Sequence, residues 1–429
     1  MIKQLKLTNI GPAPKMTLEF ANRLNLLTGD NGLGKSFLLD VVWWSLTRRW
    51  PAEINTAMTG GQKALPADKS KKAEITFSFD SKIKKNVTYT SSFLKNEQAW
   101  TGKAGRPANP GLVLYAMSDG SFAVWDPHRN YWITRKGKDI QERVPAYVFA
   151  PSEVWGGLEG AVKGTWLCNG LIRDWAGWQK ENGKTFELLK KVLEVLSPSK
   201  AEKLQPGRLT RISLDDARDV PTITMPYKQD VPVVHASSGM RRMMALAYFL
   251  VWAWEEHNKA AELIGDAPTK QITFLVDEIE SHLHPRWQCC IVPALLSVMD
   301  TLTKKAVVQL VTATHSPLIM TSVEPSFDEK KDAWFDLDYV GSSVELTRRE
   351  FEKMGTVGNW LTSAAFDQKS DRSPPYADLV EEASALFDRE KPTKREIEAM
   401  HKRLVEALDP RDDFLFTWRA VCDKKGWLR

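Results

Sequence analysis

The segment from Gly29 to Ser36, with the sequence GDNGLGKS, restricts the fold of this 429-residue chain more than any other feature. It fits the phosphate-loop pattern GxxxxGK[ST]. It lies between a short apolar run, Leu24 to Leu27, and a helix-forming run that Pro51 ends. Because a phosphate loop connects a buried strand to a helix, the sequence predicts an α/β fold around this loop.

Each residue type in the loop has a physical role. Glycines let backbone N–H groups approach the phosphates, and the helix that begins after Gly34 adds positive potential. Lys35 is expected to reach the β and γ phosphates of ATP, and Ser36 to provide an oxygen ligand for Mg²⁺. The predicted nucleotide contacts in this loop are Asn31, Gly32, Gly34, Lys35, Ser36 and Phe37.

Two further apolar runs end in polar residues that suit an ATP site. The run from Ile272 to Val276 is followed by Asp277 and Glu278. On a strand beside the phosphate loop, Asp277 would hold Mg²⁺ and Glu278 would act as the general base for an attacking water. A later strand ends just before His315, which could bind the γ phosphate. The competing interpretations are a solvated acidic turn and a structural histidine.

A second anion-binding helix start is predicted at Ser237-Ser238-Gly239, which opens the apolar run Met243 to Trp254. Taken alone, these three residues would be an ordinary helix cap. One chain cannot easily place both helix starts on one nucleotide, but two copies that face head to tail can each complete the other's site. The sequence therefore favours a homodimer or a higher oligomer.

The order of four motifs, GDNGLGKS, ASSGMRR, FLVDEIESHLHP and TATHSP, resembles that of ABC-type ATPases. Within them it resembles the branch of chromosome-maintenance, RecF-like and OLD-like proteins, over residues 1 to about 50 and 230 to about 320. The resemblance implies an α/β ATPase head with a mixed sheet, an inserted antiparallel β lobe and helical segments. It also implies that Ser237 and Gly239 contact the γ phosphate bound by the opposite subunit, and that His284 lies near the dimer seam.

Two motifs depart from the wider ABC pattern. Transporter subunits commonly carry a carboxylate at the D-loop position where this chain has His284. The glutamine of the Q-loop has no clear counterpart, because the segment from Phe149 to Glu153 follows a strand at about the right point but contains no glutamine. The residue that couples the β lobe to Mg²⁺ is therefore left unassigned.

Patterning along the chain predicts five regions. Residues 1–68 are expected to form the N-terminal part of the ATPase core with the phosphate loop, 69–148 a β lobe, and 149–230 an insertion of helices and strands. Residues 231–350 would complete the core with the signature segment, the Walker B strand and the switch histidine, and 351–429 would form a helical extension.

The C-terminal tail resembles extensions of stand-alone AAA-type ATPases encoded in bacterial anti-phage loci, often beside a separate effector nuclease. We expect an ATPase that senses something, with nucleic acid as the first candidate, and controls a partner effector. The alternative is an OLD-like nuclease or a DNA-repair ATPase that acts on DNA directly. Long heptad runs are missing between the phosphate loop and the signature, and Asp336-Leu337-Asp338 is the only DxD in the tail, so both alternatives are disfavoured.

Composition and charge exclude several other classes. The chain has 59 basic and 54 acidic residues, a net charge of +5, so it is not a polycationic nucleic-acid coat. The N-terminus MIKQLKLTNI has no apolar signal core, and the longest apolar run is shorter than the ~20 residues that a membrane span needs. We therefore expect a cytoplasmic protein with no membrane partner. Tryptophans 166, 175 and 178 could form an interface, a base-stacking surface or, most simply, core.

Overall fold

The computed structural model describes residues 1–102, 108–130, 144–160, 162–341, 343–389 and 392–427. The chain forms two compact units, Met1–Lys353 and Met354–Arg429. The region expected as a β lobe, 69–148, lies partly outside the described residues.

The strands of the described residues all lie in the first unit. They are β1 (Ile2–Thr8), β2 (Lys15–Glu19), β3 (Leu24–Gly29), β4 (Glu74–Phe79), β5 (Val87–Leu94), β6 (Ala99–Trp100), β7 (Leu112–Ala116), β8 (Phe122–Trp125), β9 (Tyr147–Phe149), β10 (Leu158–Glu159), β11 (Trp166–Cys168), β12 (Gln205–Pro206), β13 (Thr222–Thr224), β14 (Asp230–Pro232), β15 (Gln271–Val276), β16 (Val307–Ala313), β17 (Asp332–Val340) and β18 (Ser343–Arg349).

The helices divide between the two units. In the first unit they are α1 (Lys35–Thr47), α2 (Pro51–Ile54), α3 (Pro151–Gly156), α4 (Leu171–Glu181), α5 (Lys184–Val195), α6 (Ser238–Ile264), α7 (Pro285–Gln288), α8 (Ile291–Leu302) and α9 (Pro317–Val323). A short 3-10 turn, Val233–His235, precedes α6. In the second unit they are α10 (Val357–Leu361), α11 (Pro374–Phe387), α12 (Lys394–Ala407) and α13 (Asp413–Lys425).

The main sheet has eight strands in the order β18-β17-β3-β16-β15-β7-β8-β9. The five strands from β17 to β7 pair in parallel, while β18, β8 and β9 pair antiparallel to their neighbours. The predicted α/β fold with a mixed sheet is thus confirmed. Because β3, β16, β15 and β7 are parallel neighbours, the loops that follow them lie at one edge of the sheet, where ligands of such sheets bind.

The strands predicted between residues 69 and 148 do not form one separate lobe. Strands β4, β5 and β6 continue an antiparallel sheet that begins with β1 and β2, in the order β2-β1-β4-β5-β6. Strand β7 instead pairs with β15 in the main sheet, and β8 pairs with β7. The strands of the predicted antiparallel β lobe are therefore divided between two sheets. The division arises because β4 pairs with the distant strand β1, whereas β7 pairs with the distant strand β15.

Helix α1 lies between the two sheets and is buried on nearly all sides. Trp43 is 6.1 Å from Tyr115 of the main sheet, and Trp44 is 6.2 Å from Phe77 of the antiparallel sheet, measured between ring centroids. A helix that is apolar all round belongs in the interior of a protein. This burial holds the N-terminus of α1, where the phosphate loop ends, in a fixed position.

Helix α6 is the longest described helix and includes the apolar run that follows the signature segment. Most of its residues from Met243 to Trp254 are fully buried, so the run is core. Among the described residues, no helix has both the length and the apolar content that a membrane span requires. Of the tryptophans considered above, Trp175 is buried, Trp178 is half-buried beside Tyr248, and Trp166 is exposed.

The second unit is a small helical bundle with its own apolar centre. Leu404, Trp418 and Cys422 are fully buried at its middle, and the ring of Trp418 lies 5.4 Å from that of Phe387 in a tilted arrangement. Helix α12 begins with a capping box in which Thr393 and Glu396 satisfy each other's backbone N–H groups. These contacts make the unit compact in its own right.

Candidate functional site

The phosphate loop follows β3 and ends at the first residue of α1, as the sequence predicts. Gly34 has φ of 97°, a left-handed value that a residue with a Cβ adopts only with strain. Gly29 is also required, because a Cβ there would lie 2.2 Å from the carbonyl oxygen of Leu337 on β17. The sequence GDNGLGKS therefore places glycine where the backbone conformation and the packing demand it.

Lys35 lies inside its own loop. Its Nζ donates hydrogen bonds to the carbonyl oxygens of Gly29 at 2.6 Å and Asp30 at 2.8 Å. Burial lowers the pKa of Lys35, and the negative charges of Glu278 and Asp277 oppose this shift. The two hydrogen bonds leave one of the three ammonium donors for a phosphate oxygen.

Asp277 lies at the end of β15 and is buried. Burial, the largest cause, raises its pKa to about 6; the hydroxyl of Ser36 lowers the pKa and the charge of Glu278 raises it. Its Oδ1 atom is buried and accepts no hydrogen bond from the described residues. A buried carboxylate oxygen without a donor, beside a serine hydroxyl, fits the oxygen ligands that Mg²⁺ prefers. The residues present therefore suit the metal that the phosphate loop implies.

Glu278 and His315 meet beside Asp277. The Nε2 atom of His315 lies 3.4 Å from Oε1 of Glu278, and both side chains are about one third exposed. Burial lowers the pKa of His315 and the charge of Lys35 adds to this, while Glu278 opposes it. His315 is therefore neutral near pH 7. Four predicted site residues, Lys35, Asp277, Glu278 and His315, are thus brought together at one edge of the sheet.

Glu280 contacts the backbone of His315. Its Oε1 accepts a hydrogen bond from the backbone N–H of His315. Burial raises the pKa of Glu280, and the bond from His315 lowers it in part. Glu280 follows Glu278 by two residues in the sequence, and in the structure it holds the His315 backbone.

Ser118 lies beside Asp277, after the strand that pairs with β15. Strand β7 pairs in parallel with β15, with Ala116 opposite Val276, and the backbone N–H of Asp277 donates to the carbonyl of Ala116 at 2.9 Å. Ser118 therefore follows β7 beside Asp277, and its hydroxyl lowers the pKa of that carboxylate. The apolar run LVLYA followed by the polar residues SDG was the only signal in the sequence.

The segment Phe149 to Glu153, which contains no Q-loop glutamine, lies two strands beyond β7 in the main sheet. Glu153 accepts hydrogen bonds from Asn55 Nδ2 at 2.6 Å and from the backbone N–H of Ala150 at 2.7 Å. Its carboxylate therefore caps the start of α3. Strands β8 and β9 turn back antiparallel beyond β7, so this segment does not follow a strand that pairs with β15.

The signature segment opens α6 as predicted. The hydroxyl of Ser237 caps the helix by accepting from the backbone N–H of Met240 at 3.4 Å, and Ser237 and Ser238 are exposed. Gly239 is buried against the chain's own D-loop segment, Ser281 to Pro285, because a Cβ there would lie 2.8 Å from the carbonyl oxygen of His282. The segment thus presents two exposed hydroxyls from a helix start held by the D-loop.

Three other polar side chains, Asp126, His128 and His257, come close enough to suggest a metal site. His257 Nδ1 lies 2.9 Å from Asp126 Oδ1, and the backbone N–H of Thr269 donates to His257 Nε2 at 2.9 Å. A metal-bound histidine instead uses its second ring nitrogen as a donor. Since Nε2 accepts here, Nδ1 carries the proton toward Asp126, and the cluster is a buried hydrogen-bonded network.

The DxD pair of the tail is also accounted for by protein contacts. Asp336 accepts from the Thr28 hydroxyl at 2.7 Å, and Arg349 on β18 forms ion pairs with Asp336 at 3.1 Å and Asp338 at 3.0 Å. These carboxylates neutralise an arginine on the neighbouring strand. They do not form a second metal site of the kind that a nuclease domain would need.

Comparisons with known proteins agree with this geometry. The family model described as "AAA domain, putative AbiEii toxin, Type IV TA system" matches residues 24–321. The Septu protein PtuA of Bacillus thuringiensis is 21% identical over 400 residues, which cover 92% of this chain and 91% of PtuA. The Retron Ec83 probable ATPase of Escherichia coli is 24% identical over 155 residues, which cover 36% of this chain and 26% of that protein.

Among solved structures, the SmcHead bound to the C-winged helix domain of ScpA aligns with 82% of this chain and 98% of its own, at 15% identity and a TM-score of 0.42. The recombination mediator protein RecF aligns with 78% of this chain and 95% of its own, at 14% identity and a TM-score of 0.38. The matched family region contains the phosphate loop, the signature segment, the Walker B strand and His315. Because the family model matches more than half of the chain, the chain belongs to this AAA-domain family and is an ATPase.

Proposed function

We propose that two copies of this chain bind ATP at sites that each copy completes for the other, and that they hydrolyse it there. The observation that carries the proposal is the convergence of Lys35, Asp277, Glu278 and His315 at the ends of three parallel strands. The same chain presents a second anion-binding helix start with exposed hydroxyls at Ser237 and Ser238. A head-to-tail pair would use both features.

In the proposed site, the phosphate loop binds the triphosphate through the backbone N–H groups of the loop and the ammonium of Lys35. The residues assigned to this loop are Asn31, Gly32, Gly34, Lys35, Ser36 and Phe37. Ser36 and Asp277 would hold Mg²⁺, which when bound neutralises charge on the β and γ phosphates. Ser237, Ser238 and Gly239 of the other copy would contact the γ phosphate from the opposite side.

The proposed hydrolysis step begins with a water held by Glu278. The carboxylate takes a proton from the water, whose oxygen attacks the γ phosphorus, and the bond to the β–γ bridging oxygen breaks to give ADP and phosphate. His315 is neutral, so it has one N–H to donate. In this structure Nε2 of His315 faces Glu278, and the imidazole N–H would donate to a γ-phosphate oxygen when ATP is present.

The cellular role is inferred from the relatives and from the tail. The names of the matched Septu and retron proteins support a role in phage defence, in which ATP binding controls a separate effector. We propose nucleic acid as the trigger, because the four motifs resemble those of RecF-like and chromosome-maintenance ATPases. The alternative in which the chain itself cuts DNA has little support, since Arg349 holds both carboxylates of the DxD pair.

The association of two copies can be tested directly. We expect Glu278→Gln, which keeps the binding site but slows turnover, to double in mass by light scattering when ATP and Mg²⁺ are added, and to stay unchanged with ADP. A matched sample of Lys35→Ala should not respond. If the chain is already a dimer, ATP should instead slow amide hydrogen exchange near Ser237. Neither a change in mass nor protection at Ser237 would contradict the composite site.

A further inference from the structure

Arg242, on helix α6, binds backbone carbonyls at the ends of two strands. Its Nη1 donates to the carbonyl of Ser118 at 2.7 Å, and its Nη2 donates to the carbonyls of Glu278 at 3.0 Å and Asp277 at 3.2 Å. Burial lowers its pKa, and the charges of Glu280 and Asp277 oppose this. The guanidinium of Arg242 therefore binds backbone carbonyls that follow β7 and β15, and so connects the ends of these two strands.

The backbone that Arg242 binds is strained. Glu278 has φ of 43°, in the left-handed region that side chains with a Cβ rarely occupy. Such a conformation is unfavourable and persists only where the surroundings impose it. The carbonyl of Glu278 accepts from Arg242 and from the backbone N–H of Ser281 at 2.9 Å. These two donors hold the carbonyl of Glu278 in place.

We propose that Arg242 is a positioning residue for hydrolysis, which holds the Glu278 backbone in its left-handed conformation and so directs the Glu278 carboxylate toward the attacking water. Arg242 itself does not touch ATP. The inference rests on the proposed role of Glu278 as general base. Helix α6 would then have two roles. Its first residues would contact the nucleotide bound by the partner, and Arg242 would maintain the chain's own site.

The neighbouring Arg241 provides a matched control. Arg241 is exposed, and its guanidinium stacks over the ring of Trp155 at 5.0 Å rather than binding backbone carbonyls. The two residues have the same side chain and adjacent positions on α6. Arg241→Ala controls for the removal of an arginine side chain from α6, whereas only Arg242→Ala removes the carbonyl contacts.

We expect Arg242→Ala to lower the single-turnover rate of ATP hydrolysis by roughly a hundredfold, the scale on which small misplacements of catalytic groups act. ATP affinity should stay close to that of the unaltered chain, because no phosphate contact is removed. Arg241→Ala should leave both quantities unchanged. Arg242→Lys should remain slow, since an ammonium lacks the planar fork that reaches carbonyls of two strands.

A double-variant cycle separates positioning from general support of the fold. In the Glu278→Gln background, Arg242→Ala should cause no further loss of rate, because the group that it positions is already absent. A loss in the double variant equal to the product of the single losses would overturn the inference, as would a normal rate for Arg242→Ala. A normal rate for Glu278→Gln alone would instead contradict the proposed general base.

Chemical rescue covers the case in which the alanine variant is unstable. A cavity of about 300 Å³ adjoins Arg242 and is lined by Met117, Asp119, Ile279 and His282 among others. We expect guanidinium at millimolar concentration to restore part of the rate of Arg242→Ala, and urea at the same concentration to restore none. Equal effects of guanidinium on Arg242→Ala and on the Arg241→Ala control would contradict a specific site for the guanidinium group.

Discussion

Replacing Glu278 with glutamine is expected to lower the single-turnover rate of ATP hydrolysis by about a hundred- to ten-thousand-fold, the usual contribution of a general base. Glutamine keeps the volume and the hydrogen-bonding oxygen of the side chain but cannot accept the proton of the attacking water. Glu278 lies 3.4 Å from His315 and beside Asp277, so it is the carboxylate best placed for this task.

ATP affinity should change little in this variant, because Glu278 makes no proposed contact with the phosphates. Filter binding of labelled ATP and rapid quenching of a single turnover measure the two quantities separately. Glu153→Gln is a matched control, since its carboxylate caps α3 and bonds to Asn55. Near-normal turnover by Glu278→Gln would remove it from the base role and direct attention to Glu280, whose Oε2 atom is buried without a donor among the described residues.

Replacing Lys35 with alanine should produce the opposite pattern, a loss of ATP binding itself. A hydrogen bond to a charged group contributes about 1.5–3 kcal/mol, which corresponds to roughly a ten- to hundredfold change in affinity. The loss should lie at the upper end, because Lys35 also bonds to the carbonyls of Gly29 and Asp30 and so maintains the loop.

Isothermal titration with ATP tests this expectation, and inorganic tripolyphosphate in place of ATP tests whether the loss belongs to the phosphates. Both ligands should bind Lys35→Ala more weakly by a similar factor. Lys63→Ala, which removes an exposed ammonium paired with Glu53, serves as the control and should bind both normally. Unchanged affinity of Lys35→Ala for tripolyphosphate would contradict a role of Lys35 in phosphate binding.

The sequence is most informative where local order decides the structure. The phosphate loop must join a strand to a helix, and the apolar run before Asp277 must be a buried strand, so both elements are predicted from short segments. The carboxyl ends of parallel strands then meet at one edge. The sequence alone therefore predicts that one edge of the sheet carries Lys35, Asp277, Glu278 and His315.

The sequence is least informative where distant segments choose their partners. The residue patterns of strands β4 and β7 do not indicate their partners. Strand β4 pairs with β1 in the antiparallel sheet, and strand β7 pairs with β15 in the main sheet. Ser118 becomes a neighbour of Asp277 only through that second pairing. The contacts of Arg242 are with backbone carbonyls, which every residue possesses, so no side-chain pattern could indicate them.

Mixing two inactive variants tests most directly whether each ATP site is shared by two copies. Lys35→Ala lacks a working phosphate loop, and Ser238→Arg places a bulky side chain on the exposed start of α6, so each alone should be inactive. In an equal mixture that exchanges subunits, half of the dimers contain one copy of each variant. Each mixed dimer has one intact site out of two, so about a quarter of the normal single-turnover activity should return. A mixture that stays as inactive as its two components, although both variants fold and exchange, would contradict the shared site.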